Sequence, residues 1–220
     1  MQQHEAVIIS DLHLGSRACQ TRELLTFLDH LNTRRLILNG DIFDSFAFNR
    51  MSPAHWSVLD ALRRWQRGLA VDWIAGNHDE PAAYLSSLLG VPAFDEIPLV
   101  SGDKVILVTH GHQFDQFYQS HPKWTALGDC IYSGLLWADP SHELARRAKH
   151  LSKDYLRCLE MVKAGALMAM KDKGADAVCT GHTHAPVADG AYFNSGSWTE
   201  LPCSYLTVDA GEVKLRKWVE

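Results

Sequence analysis

Apolar residues arrive in short unbroken runs separated by stretches with helical spacing. Ala6–Ile9, Leu36–Leu38 and Val71–Ile74 are rich in Val, Ile and Leu and predict buried strands. Between them, Glu23–Leu31 and Ser52–Arg67 predict helices. The second opens with Ser52 at the N-cap and Pro53 at the first helical position. Pro81–Leu89 predicts a third helix, closed by Gly90. Strands interleaved with helices predict an α/β sheet. Ile97–Val100 and Val105–Val108 flank Ser101-Gly102-Asp103-Lys104, and Tyr205–Val208 and Val213–Trp218 flank Asp209-Ala210-Gly211. Both are hairpin signals, so antiparallel strands accumulate toward the C-terminus.

Between Gln116 and Lys173 the strand signal disappears. Ser141–His150 and Asp154–Lys173 predict helices, with Gly174 as a stop. A helical segment of this length between strands reads as an insertion or cap. Trp124, Ile131, Leu135, Leu136 and Trp137 give it an apolar part, and Arg146, Arg147, Lys149 and Lys153 a basic part. Core packing and a ligand-facing role are both compatible with that pattern.

Composition narrows the function. The 220 residues suit one domain with a core large enough to need no disulfide or metal staple. Net charge is −5, which disfavours binding to long nucleic acid. Five cysteines, odd in number and without C-x-x-C spacing, argue against a disulfide framework or a thiolate zinc site. No stretch resembles a secretory signal or approaches the roughly 20 apolar residues of a membrane span. The expectation is a cytoplasmic protein. Histidine is the outlier, with 12 copies, many beside glycine or aspartate.

Hard metal-ligand residues, six of these histidines among them, form five clusters, each after a predicted strand: Asp11-Leu12-His13, Gly40-Asp41-Ile42-Phe43-Asp44, Gly76-Asn77-His78-Asp79, His110-Gly111-His112 and Gly181-His182-Thr183-His184. Ligands bind at the carboxyl ends of strands in open α/β sheets, so the clusters are expected to converge. Asp11 and His13, and again His182 and His184, stand two apart, which in extended backbone would point each pair to one side. Adjacent glycines allow a sharp exit from the strand. Oxygen and imidazole donors without thiolate suit Mn²⁺, Fe²⁺ or Zn²⁺.

These motifs resemble the calcineurin-like metallophosphoesterases, with their D-x-H, G-D-x-x-D, G-N-H-D, H and G-H-x-H signature, over essentially the whole chain. The resemblance implies a β-sandwich of two sheets flanked by helices and a site for two divalent ions, manganese being the first expectation. It assigns Asp11, His13, Asp41 and His184 to one ion and Asp41, Asn77, His110 and His182 to the other, with Asp41 bridging. Two ions roughly 3.5–4 Å apart supply a nucleophile near neutral pH and clamp both ends of an in-line displacement. The resemblance makes His78 the group that protonates the leaving oxygen or stabilises the transition state, and Asp44 the carboxylate that orients it. Asp79 reads as a turn or supporting residue; His112 and Arg17 are candidate substrate contacts. Some members of this superfamily lack catalytic residues and serve only as binding scaffolds, but every expected position is filled here.

Within the superfamily, Ser-Asp-Leu-His-Leu-Gly at 10–15, Gly-Asp-Ile-Phe-Asp at 40–44, the helical segment 116–173 and Gly-His-Thr-His-Ala-Pro at 181–186 are similar to the UDP-2,3-diacylglucosamine diphosphatases. That group cleaves a pyrophosphate in lipid A assembly, with a helical cap that holds acyl chains. It implies a lipid-linked nucleotide substrate and peripheral contact with the inner membrane through the cap. The departure is His78, where that group carries arginine. A histidine can protonate an alkoxide leaving group, which keeps phosphomonoesters and phosphodiesters as alternative substrates.

Overall fold

Alternation of side chains within the first strand sets the architecture. In the computed structural model, which describes residues 3–68, 70–79, 81–90, 92–115 and 153–219, β1 (Ala6–Ile9) turns Val7 and Ile9 toward helices and Ala6 and Ile8 toward a second sheet. Both faces are covered, so all four residues are buried and the run is continuously apolar. Fully burying an Ile or Leu side chain contributes about 1.5–3 kcal/mol.

The first sheet adds β2 (Arg35–Asn39), β3 (Ala70–Ile74) and β4 (Ala93–Phe94), all parallel to β1. On the other side of β1 the antiparallel hairpin β10 (Ser204–Asp209) and β11 (Glu212–Lys217) completes it. The strand order is β11-β10-β1-β2-β3-β4. In the second sheet, β6 (Lys104–Thr109), β7 (Ala177–Thr180) and β9 (Tyr192–Asn194) run parallel. Antiparallel edge strands β5 (Glu96–Ser101) and β8 (Val187–Asp189) close it on either side, in the order β5-β6-β7-β9-β8.

The sheets meet through one layer of side chains. Ile8, Ile37, Ile74 and Leu206 from the first pack with Ile97, Ile106, Val108 and Cys179 from the second. Helices α1 (Thr21–His30) and α2 (Pro53–Gly68) cover the outer face of the first sheet, where Leu24, Phe27, Val58 and Leu62 pack on Ile9, Leu38 and Trp73. In α2 the buried His55, Val58, Leu59 and Leu62 lie on one helical face. Its start is capped reciprocally: the Ser52 N–H donates to His55 Nδ1 at 3.0 Å, and the His55 N–H to Ser52 Oγ at 3.4 Å. The short α3 (Ala82–Leu89) ends at Gly90, whose φ of 68° suits glycine. On the outer face of the second sheet, α4 (Lys153–Asp172) buries Ala166 and Met170 against Leu107, Val178 and Tyr192.

The expected sandwich of two sheets flanked by helices is therefore the fold. The helix expected at Asp154–Lys173 is α4. The rest of the cap segment, with Ser141–His150, Trp124, Leu135, Trp137 and the basic group from Arg146 to Lys149, lies outside the described residues. Among the described residues, no helix is long and apolar enough to cross a membrane.

Candidate metal centre

The five clusters follow the carboxyl ends of β1, β2, β3, β6 and β7, five of the parallel strands of the two sheets. Main-chain pairing continues past the strand ends and fixes the loops to one another. The N–H groups of Asp11, His13 and Leu14 donate to the carbonyls of Gly40, Asp41 and Ile42 at 3.0, 3.0 and 2.8 Å. In the other sheet the Gly181 N–H donates to the His110 carbonyl at 2.9 Å. All five clusters thereby reach one edge of the sandwich.

The backbone there is strained. Among the described residues other than glycine, φ is positive at Asp11, His13, Asp41, His182, His184 and Ala210. Five of these six carry expected ligands. A left-handed non-glycine residue costs on the order of 1–3 kcal/mol, and persists only where its surroundings over-determine it. The expectation that Asp11–His13 and His182–His184 are extended is thus corrected. Each pair converges because both its members are left-handed. Glycine plays a second part in bringing loops together. A Cβ on Gly76 would lie 2.2 Å from Asp41 Oδ1, and one on Gly181 would lie 2.6 Å from Asp11 Oδ2. Neither glycine has a positive φ; their role is close approach.

Two sets of donor atoms result. In the first, His184 Nε2 stands 3.2 Å from Asp11 Oδ1 and 3.2 Å from His13 Nε2. In the second, Asn77 Oδ1 stands 2.9 Å from His182 Nδ1 and 3.2 Å from His110 Nε2. Asp41 Oδ2 lies between them, 3.3 Å from His110 Nε2 and 3.8 Å from His13 Nε2. Two ligands held at 2.0–2.1 Å from one ion are separated by about 2.9–3.4 Å, so these spacings suit coordination. Asp11 Oδ1 is buried and accepts no hydrogen bond, an orphan that a cation would satisfy. The remaining carboxylate oxygens are tied down. Asp11 Oδ2 accepts from the His182 N–H at 3.1 Å and from Ser10 Oγ, and Asp41 Oδ1 accepts from the His78 N–H at 2.8 Å. The residues fit two divalent ions, one per set, with Asp41 common to both.

The electrostatics follow from packing charge in the interior. Burial pushes the Asp41 carboxyl up, but His110, together with His78 and His13, outweighs it and holds the group well below the usual range. Asp11 is opposed by burial in the same way and lowered by His184. Burial opposes the charged form of His110, yet Asp41 raises it to about 9. Such mutual stabilisation marks a site built for opposite charges at close quarters.

Each expected ligand histidine is oriented through its other ring nitrogen. His110 Nδ1 meets the Asn39 carbonyl at 2.8 Å, His13 Nδ1 the Asp44 carboxylate at 3.5 Å, and His184 Nδ1 Thr199 Oγ1 at 3.4 Å. Asp44, expected behind His78, has its carboxylate between His13 and Arg50 (2.8 Å), while its main-chain carbonyl meets His78 Nδ1 at 3.0 Å. The His78 ring stands edge-on to His13, centroids 4.8 Å apart. Asp79 accepts the N–H groups of Phe43, Gly76 and Ile42 at 3.1, 3.0 and 3.3 Å, stapling the second and third loops together. Burial, with Asp41 nearby, raises its carboxyl to about 6. His112 is half-buried beside His110, ring centroids 5.5 Å apart, and burial pushes it down to about 4. Arg17 is exposed in the loop after the first cluster. Asp115 belongs to none of the five motifs, yet its carboxylate lies 3.1 Å from His182 Nε2. Its spacing in His110-Gly-His-Gln-Phe-Asp115 was the available signal.

A two-sheet sandwich with this donor arrangement defines a metallophosphoesterase-type protein. The chain belongs to the calcineurin-like phosphoesterase family, whose profile matches residues 5–186. No curated protein matches the chain significantly. Among solved structures it is similar to Yfce, a phosphoesterase from E. coli, with 19% identity over 93% of this chain and 87% of that one, at a TM-score of 0.51. It also matches a novel archaeal phosphodiesterase at 18% identity over 96% and 98% of the chains, TM-score 0.48. A third match is Vps29 complexed with Zn²⁺ from Entamoeba histolytica, with 17% identity over 96% and 97%, TM-score 0.46.

Proposed function

We propose that this protein is a dinuclear metal-dependent hydrolase of a phosphate ester or phosphoanhydride. The observation that carries the proposal is the position of Asp41 Oδ2 between the two donor sets, within 3.8 Å of a histidine from each. Two divalent ions there would activate water and neutralise the charge that develops on the phosphoryl oxygens. The chain's own contribution is orientation and proton transfer. Outer partners fix each ligand ring, and the buried carboxylates stay ionised through the neutral range. His78 is the proton donor. The Asp44 carbonyl holds its Nδ1, which reserves Nε2 for the leaving oxygen. A metal-loaded scaffold without turnover would not require a histidine so placed.

The substrate we favour is a lipid-linked nucleotide pyrophosphate of the UDP-2,3-diacylglucosamine kind, with manganese as the metal. The motif wording supports this, and so does an aromatic group next to the second and third clusters. Phe46 stands 5.4 Å from Phe48 and 6.3 Å from Tyr84, and Phe48 stands 6.2 Å from Trp56, between ring centroids. Tyr84 and Trp56 are exposed. Apolar surface beside a dianion-binding site suits an amphiphile. The competing substrate, a simple nucleotide or phosphodiester, is favoured by His78 itself, because an alkoxide needs a proton and a phosphate leaving group does not.

A panel with Mn²⁺ separates these readings. UDP-2,3-diacylglucosamine, bis-p-nitrophenyl phosphate and p-nitrophenyl phosphate are compared at equal metal loading. Preference for the first supports the lipid-linked pyrophosphate, preference for the second the diesterase. Hydrolysis of none of them, with both ions bound, would leave a scaffold.

A further inference from the structure

We infer that Asp115 is a positioning residue that sets the tautomer of His182 and so presents its Nδ1 to the second metal set. The inference rests on the proposed metal assignment and adds a residue outside it.

His182 has a different neighbour on each side of its ring. Nδ1 faces Asn77 Oδ1 at 2.9 Å, within the group that Asp41 and His110 complete. Nε2 faces Asp115 Oδ2 at 3.1 Å. A neutral imidazole carries one N–H. A carboxylate beside Nε2 keeps the proton there and leaves the Nδ1 lone pair for a cation. The same Asp115 oxygen accepts the Cys158 thiol at 3.1 Å, so the carboxylate is itself anchored. Asp115 is only 6% exposed, where these contacts are not diluted by water.

Its placement is built into α4. The Asp115 N–H closes the short turn His112–Phe114 by donating to the His112 carbonyl at 3.1 Å. Phe114 lies so close to Gly165 of α4 that a Cβ there would come within 2.8 Å of the Phe114 Cβ. Two turns earlier on that helix stands Cys158, and three residues before it Tyr155, whose hydroxyl donates to the Thr183 carbonyl at 3.0 Å. One face of α4 thus braces both the turn that bears Asp115 and the loop that bears His182. The other ligand histidines already have acceptors of this kind, and Asp115 gives His182 its own.

The test uses the full chain, ¹⁵N-labelled at histidine. Imidazole ¹⁵N spectra of the metal-free protein report the tautomer, and Mn²⁺ and Zn²⁺ titrations against a chromophoric chelator report two affinities. For Asp115→Ala we expect the affinity of one ion to fall about 10–100-fold, the other to hold, and His182 to lose its Nε2–H preference. Asp115→Asn retains an acceptor oxygen and should give a smaller loss of the same ion with a shifted Nε2 signal. If Asp115→Ala does not fold, Asp115→Asn decides. Wild-type affinities for both ions together with an unaltered His182 spectrum would overturn the inference. A wild-type protein that binds fewer than two ions would instead defeat the metal assignment, which this experiment reads separately.

Discussion

The main-chain N–H of His78 donates to Asp41 Oδ1 at 2.8 Å, so the backbone of one cluster holds the carboxylate shared by both donor sets. The His78 side chain points elsewhere, to the Asp44 carbonyl and the edge of His13. Backbone and side chain at this position therefore have separable duties.

His78→Gln should leave the bridge to Asp41 intact and change chemistry alone. Metal content, measured by elemental analysis after desalting, is expected to match the wild type. Turnover of alkyl phosphoesters should fall about 10²–10⁴-fold, the usual loss for a positioned proton donor. With p-nitrophenyl esters or anhydrides, whose leaving groups need little protonation, the loss should be much smaller. An equal loss across leaving groups would make His78 a stabiliser of phosphoryl charge and not an acid.

Asp41→Asn should act on both ions. An amide keeps the size of the carboxylate and its Oδ1 acceptor, but brings no charge to the atom between His110 and His13. Metal content should drop at both sites and turnover disappear. The wild type should also lose thermal stability on chelation, because ions that bind only the folded chain stabilise it by mass action. At 100-fold excess of metal over Kd that stabilisation is about 2.7 kcal/mol, or roughly 5–11 °C in Tm for a chain of this size. A scan with and without EDTA that shows no shift would count against metal held by these residues.

The sequence revealed the site better than it revealed the backbone that makes it. Strands such as Ala6–Ile9 were legible because both their faces are covered, and so was the hairpin around Asp209-Ala210-Gly211. β8 and β9 are three residues each, too short to carry a period, and β4 has only two. The residues of the two donor sets were legible as types at strand ends. That Asp11 and His13 are left-handed was not, since pairing with the 40–42 loop imposes it from outside the segment. Asp44 is expected from the motif to hold His78 with its carboxylate, but the carboxylate meets His13 and Arg50 and only the main-chain carbonyl meets His78. Its division between His13, Arg50 and His78 depends on contacts that no local pattern encodes.

Gly76 should tolerate nothing larger. A Cβ would stand 2.2 Å from Asp41 Oδ1 and 2.3 Å from the Asp41 main-chain nitrogen. The second contact is with backbone, which cannot swing aside. Gly76→Ala is expected to destabilise the chain by about 1–3 kcal/mol and to displace the shared carboxylate, so metal content should fall as well. Gly90→Ala supplies the contrast. No atom lies within 4 Å of its Cβ position, and only the left-handed φ of 68° resists it. It should lower Tm with metal content unchanged. If denaturant unfolding and metal analysis gave the same pattern for both variants, close approach would not be the reason for glycine at 76.

Away from the site, acid stability depends on Asp209. Asp209 ties the β10–β11 hairpin to the segment before β1, accepting from the Glu5 N–H at 3.1 Å and meeting His4 Nδ1 at 2.7 Å. What burial it has raises its carboxyl, but the His4 and Glu5 contacts prevail and hold it below the ordinary value. A carboxyl whose folded pKa is depressed stabilises the fold above its unfolded pKa, near 3.8, and that contribution is lost as pH falls through the folded value. Asp209→Asn should therefore melt below the wild type at pH 6, by no more than about 3 °C for a pair this exposed. The two curves should converge as pH drops below 3.8. Measuring Tm for both proteins from pH 7 to pH 3 checks the sign: a gap that widens on acidification would mean that the protonated form of Asp209 is the stabilising one.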